Sequence, residues 1–210
     1  MSAAPDEGTI LTLVKNILSH GVDGLGPMNS SAELARQYRD DASYPSDSAR
    51  IDALIRWESA KNFGTGFATG LGGLATMPIT LPASLYTAWF VQARLSGAIA
   101  DLNGHSTQDE RVRTFILLTL IGDSAREVLK TAGVTVANKV ALNAVRAIPG
   151  RVLLEINKKV GFRLITKAGS TGVINLTKVV PVLGGVVGGT VDAAACAGVG
   201  KTAKKIFGPA

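Results

Sequence analysis

Apolar and polar positions along this chain repeat at helical spacing, and no strand-period alternation persists anywhere. Between Thr9 and His20 the apolar residues fall at 10, 13, 14, 17 and 18, which predicts an amphipathic helix ended by Gly21. The loop GVDGLGPMNSS follows, and then a second short helix around Ala32 to Asp40. A polar linker, DDASYPSDS, separates this part from a third helix over Ser48 to Lys61, with Ile51, Leu54, Ile55 and Trp57 turned inward or nearly so.

The stretch that follows is the most unusual in the chain: from Asn62 to Ala93 there is no charged residue. Its first half, Gly64 to Met77, holds five glycines, each of which weakens an isolated helix by roughly 1 kcal/mol relative to alanine. Gly66 and Gly70 are four apart, as are Ala68 and Gly72, the spacing by which helices bring their backbones close. We expect this segment to pack against the similar Gly184–Gly189 region. The chain breaks at Pro78 and Pro82, and Pro82 suits the first turn of a second helix. Leu85, Ala88, Trp89, Gln92, Leu95 and Ile99 then recur on one helical face, so the whole stretch reads as an apolar helical hairpin.

After the turn Asp101 to His105, Thr107 and Glu110 have the spacing of a capping box opening a helix through Ile121. Gly122 and Asp123 interrupt it, a further helical segment runs to Lys130, and Val134 to Ala147 is expected to be helical. From Arg151 to Lys167, Val152, Ile156, Val160 and Leu164 form one row at spacing four, and Arg151, Glu155, Lys159, Arg163 and Lys167 form its neighbour. Val179 to Gly200 has a single charge, Asp192, and repeats the small-residue spacing at Gly184/Gly188 and Gly185/Gly189. The expectation is an all-α fold. Residues 1–46 form a small N-terminal helical segment with its linker, and residues 47–208 a compact helical domain around the glycine-rich hairpin.

Composition bears on where such a chain resides. Hydrophobic residues make up 46% and the mean hydropathy is +0.26, high for a freely soluble protein. Neither apolar region is suited to spanning a bilayer. The first has 16 residues from Asn62 to Met77, short of the ~20 required, and the second carries Asp192 near its middle. A single cysteine excludes an internal disulfide, and the acidic MSAAPDEG start lacks the basic-then-apolar order of a secretory signal. We therefore expect a cytoplasmic protein, with the inner face of the membrane as its place of peripheral attachment. The net charge of +6 conceals a gradient. Residues 1–60 carry nine acids and five bases, whereas residues 151–210 carry two acids and nine bases. A basic rear calls for an anionic partner.

Motifs for chemistry do not hold up. Ala195 to Thr202 (ACAGVGKT) loosely matches a phosphate-binding loop, but no strand precedes it and only eight residues follow. Gly64-Thr-Gly66 follows a helix rather than the strand a dinucleotide fingerprint needs. Ser170 in AGSTG approaches a nucleophile elbow, yet both histidines, His20 and His105, precede it. Two histidines and one cysteine, widely spaced, make no zinc site, and Cys196 reads as a small buried residue. No catalytic residue, metal or cofactor is expected. Two features remain. The basic row leading from Arg151 through Lys167 into AGSTG suits contact with phosphate, although a solvated helix face accounts for it equally well. Asp192, in an apolar segment, calls for a buried partner, with Arg94 and Lys178 as candidates.

Several runs carry a family resemblance: ALIRW, GFATGLGGLATMPITLPA, DERVRTFILLTLIG, INKKVGFRLITKAGSTGVINLTK and the closing VPVLGGVVGG. In this order, over roughly residues 50 to 207, the chain resembles the EcsC protein family. Val191 stands where that family has phenylalanine. The resemblance implies a link to membrane transport and secretion, with no catalytic activity to carry over. The signature positions it implies are Gly66, Gly70, Gly73, Pro78, Pro82, Arg94, Asn157, Lys158, Lys167, Asn175, Lys178 and Asp192. The function expected is that of a non-enzymatic, membrane-associated accessory protein that meets anionic lipid or a membrane protein. Its anion-binding candidates are Arg151, Lys158, Lys159, Arg163, Lys167, Ser170 and Lys178. The alternative is an enzyme or binding protein for a phosphorylated or lipid-like ligand, with Lys167, Asn175, Lys178 and Asp192 lining a pocket. Few aromatics lie among the basic residues, so nucleic acid is not an expected partner.

Overall fold

The computed structural model describes residues 6–26, 28–64, 83–134, 148–175 and 181–208. They form eight α-helices: α1 (Glu7–Val22), α2 (Ser31–Arg39), α3 (Asp47–Gly64), α4 (Ala83–Leu102), α5 (Glu110–Leu120), α6 (Ala125–Thr131), α7 (Gly150–Asn175) and α8 (Pro181–Phe207). A short 3-10 turn, Gly122–Ser124, joins α5 to α6, and the described residues contain no strand. The fold is all-α. The hairpin's first arm and corner, with Gly66, Gly70, Gly73, Pro78 and Pro82, lie outside the described residues, as do Lys178 and most of the helix expected over 134–147.

Local chemistry explains most helix starts. Asp6 caps α1, its carboxylate accepting from the Thr9 amide at 3.0 Å. Ser30 and Glu33 form a reciprocal capping box on α2. The box expected from Thr107 and Glu110 does not form. Instead Asp109 is the cap of α5, its carboxylate accepting from the Arg111 amide at 2.8 Å, and Glu110 is already the first helical residue. A carboxylate directly before the first turn outcompetes a hydroxyl two residues further back.

The core is organised around α4. The sequence pattern assigns it one buried face, but Tyr86, Phe90, Val91, Ala93, Ala98 and Ala100 are buried alongside Trp89, Gln92, Leu95 and Ile99. A helix buried in all directions is the central member of its domain. α1, α2, α3, α5 and α8 all pack on it. Single glycines allow the closest approaches. A methyl group on Gly21 would come within 2.8 Å of both Ala93 Cβ and the Phe90 carbonyl, and one on Gly97 within 2.8 Å of Ser31 Cβ. Ser31, fully buried there, donates its hydroxyl to the Val22 carbonyl at 3.0 Å. Likewise, α7 meets α1 at Gly161 against Ile10, and α8 meets α3 at Gly200 against Ile55.

Trp57 departs from expectation: it is about half exposed, with the Arg56 guanidinium 5.8 Å from its ring. Position 58 takes the inward place on α3 instead, and it is a glutamate. Among the described residues no helix is long and apolar enough to cross a membrane.

Candidate functional site

α7 holds the site together. Leu153, Ile156, Val160 and Leu164 bury its inner face, and α1, α5 and α6 pack on it. Its outer face carries Arg151, Leu154, Glu155, Lys158, Lys159 and Phe162, positions that share one side of a 3.6-residue helix. Leu154 is 47% and Phe162 46% exposed, two of the three large hydrophobic side chains that stand out to solvent among the described residues.

Where α1 and α6 flank α7 they leave an open groove of about 450 Å³. Lys158, Lys159, Arg163 and Phe162 reach it from α7, Glu7 from the first turn of α1, and Glu127 from the first turn of α6. Ile10 and Val128 add apolar surface. Glu7 pairs with Lys158 across one side, and Glu127 accepts a hydrogen bond from Arg163 across the other. Lys159 pairs within α7 with Glu155 at 3.2 Å. The side chains of Glu7 and Glu127 are 65% and 62% exposed, so these pairs contribute only about 0–1 kcal/mol each and exchange readily with other ions.

The structure therefore brings together Lys158, Lys159 and Arg163 from the expected anion-binding set. Arg151 sits on the same face, exposed in the first turn of α7. Lys167, Ser170 and Asn175 lie on the helix, but their side chains are outside the described residues. The AGSTG run is not a loop that offers free amides: α7 continues through it to Asn175, and interior helical amides are engaged in the i to i−4 ladder. The ACAGVGKT run is likewise interior to α8, where Thr202 donates its hydroxyl to the Gly198 carbonyl at 3.0 Å. Asn157 is partly buried on α7, and its Oδ1 is enclosed with no hydrogen-bond partner among the described residues.

Arg94 is largely enclosed and paired, but not with Asp192. Its carboxylate is Glu58 on α3, at 2.7 Å, and Lys61 approaches the other Glu58 oxygen at 2.7 Å. Glu58 is 2% exposed. Asp192 is on an exposed position of α8 and is not the buried acid. Close by, burial and then the Glu58 charge push the Tyr38 hydroxyl up to a pKa of about 12. This ion pair ties α3 to α4, and neither of its residues lines the groove on α7.

Sequence reasoning missed three acids. Glu58 was detectable, because it continues the inward row 51, 54, 55 at helical spacing. Glu7 and Glu127 carry no local signal: each is a first-turn acid of a kind found on most helices, and only tertiary packing brings them to α7. Among the described residues no group of His, Cys, Asp and Glu is arranged to hold a metal ion. The groove offers cations, carboxylates and an aromatic edge, which suits binding an anion by exchange. Comparison of the chain with protein-family models, curated proteins and solved structures finds no match.

Proposed function

We propose that this chain is a peripheral membrane-interaction protein that lays the outer face of α7 on an anionic lipid surface. The observation that carries the reading is Leu154 and Phe162, two large apolar side chains standing out among Arg151, Lys158 and Lys159 on one helix face. Membrane-surface helices combine these two classes in this way, apolar side chains entering the acyl boundary while cations stay at the headgroups. The resemblance to the EcsC family points to the same setting.

Magnitudes decide how the two classes share the work. A basic residue at an anionic surface contributes about 1 kcal/mol. Lys158 and Lys159, however, already face Glu7 and Glu155, and the neighbouring Arg163 faces Glu127. Charge alone then holds the protein weakly, and burying Leu154 and Phe162, at up to ~1.5–3 kcal/mol for full burial of each, supplies the rest.

Vesicle flotation tests this. The protein should float with vesicles containing phosphatidylglycerol and not with pure phosphatidylcholine, and binding should fall several-fold between low and high salt. Leu154→Ser with Phe162→Ser should abolish flotation. Equal flotation with neutral vesicles would remove the charge argument, and none with either would remove the reading.

A further inference from the structure

We infer that the groove between α1, α6 and α7 binds a single lipid phosphomonoester headgroup, and that Glu7 and Glu127 are displaceable stand-ins for it. The inference rests on docking of α7 at an anionic membrane and names the group recognised there. Lys158 and Arg163 both line this groove, and each is engaged by a carboxylate from a different neighbouring helix. Two monoanions on separate helices thus do what one dianion does in a single place. A phosphomonoester carries about −1.5 to −2 charge at pH 7 and three acceptor oxygens. It satisfies the planar guanidinium of Arg163 with two oxygens and leaves a third for the Lys158 ammonium.

The exchange is inexpensive on the protein's side. Both carboxylates are mostly exposed, so each returns to water without leaving a buried charge. Buried pairs, such as Glu58 with Arg94, do not exchange in this way. The groove also has an apolar side, Ile10, Val128 and the exposed ring of Phe162, which suits the glycerol and first methylenes of a lipid better than a free phosphate ion. A phosphodiester headgroup carries one charge and fewer free oxygens, so it neutralises only one of the two cations. The groove should therefore discriminate phosphatidic acid from phosphatidylglycerol.

The test uses the full chain and two variants, each checked for an unchanged thermal unfolding midpoint. Flotation is measured with phosphatidic acid vesicles and with phosphatidylglycerol vesicles of matched surface charge, and inorganic phosphate is titrated by calorimetry. Glu7→Gln with Glu127→Gln removes the internal competitors, and phosphatidic acid binding should tighten about threefold to tenfold. Lys158→Gln with Arg163→Gln should erase the preference for phosphatidic acid and leave residual binding through Leu154 and Phe162. Equal wild-type binding to both anionic lipids would overturn the headgroup assignment while leaving membrane docking intact. An unchanged affinity in the double glutamine variant of the acids would overturn their role as stand-ins. Binding of inorganic phosphate without any preference among vesicles would overturn the lipid source. Failure to bind any anionic vesicle would overturn docking itself, and this inference with it.

Discussion

Gly161 and Gly198 show what a missing side chain does in two helices. A methyl group on Gly161 would lie 2.6 Å from Ile10 Cγ2 and 3.2 Å from the Ile10 carbonyl, so α1 would have to move away from α7. On Gly198 the same methyl group would meet nothing within 4 Å among the described residues. Gly161→Ala should therefore destabilise by about 1–3 kcal/mol through overpacking. Gly198→Ala, on an exposed side of α8, should stabilise by up to ~1 kcal/mol from helix propensity and a stiffer unfolded chain. Urea denaturation of both variants checks the pair, and equal effects would show that close approach is not what Gly161 supplies. Read along the chain, glycine density draws attention to 64–77 and 184–189. The close contacts described here involve isolated glycines at 21, 97, 161 and 200. One visible sign was available: Ala93 and Gly97 are four apart on α4 and meet α1 and α2 in turn. A lone glycine carries no period of its own, so its partner is legible only once the helices are placed.

Between helices, the Glu58–Arg94 pair is the strongest test of how α3 is held on α4. Both groups are nearly enclosed, so removing one leaves the other's charge without compensation. Glu58→Leu alone should cost about 3–5 kcal/mol, and adding Arg94→Met should recover most of it, because two apolar side chains need no pairing. A double-mutant cycle in chemical denaturation gives the coupling, and additive losses would mean that the two residues act separately. Helix existence and type were readable from apolar spacing: α1, α2, α3, α5, α6 and the first part of α7 lie within a few residues of their expected bounds. Pairings between helices were not readable. An acid in an apolar run calls for a partner, which makes Arg94 and Lys178 candidates for Asp192, yet the acid that meets Arg94 sits 36 residues upstream on a neighbouring helix. The same limit hid Glu7 and Glu127, so the cations of the groove were legible and their counter-ions were not.

At the scale of the molecule, the polar linker at 40–48 separates α1 and α2 from the rest in sequence, but both helices pack on α4. α1 also packs on α7, and its Leu13, Val14 and Ile17 join the same hydrophobic core as Leu95, Ile116 and Val160. Residues 1–46 should therefore unfold in one transition with the remainder. Deleting them should abolish cooperative unfolding and raise binding of a hydrophobic dye, since Phe90 and Ala93 lose a covering helix. A truncated chain with a sharp, dye-free transition would show that 47–210 is a self-sufficient domain.

The position of α4 also has a consequence in time. It is the helix most of the others rest on, and its last cover is α8, whose end locks in late. Phe207 is buried with its carbonyl 3.0 Å from His105 Nε2, and Lys204 bonds Ser48 Oγ at 3.0 Å. As the chain leaves the ribosome from its N-terminus, α4 emerges about 100 residues before the segment that seals it, several seconds at ordinary rates of synthesis. Throughout that interval, among the described helices, only α1, α2, α3 and then α5 cover its aromatic and aliphatic surface, and the side that α8 takes stays open. Exposed apolar surface of this kind favours aggregation, so the yield of folded protein in a cell should rise when a holding chaperone is co-expressed, and an unchanged yield would show that α4 is protected without one.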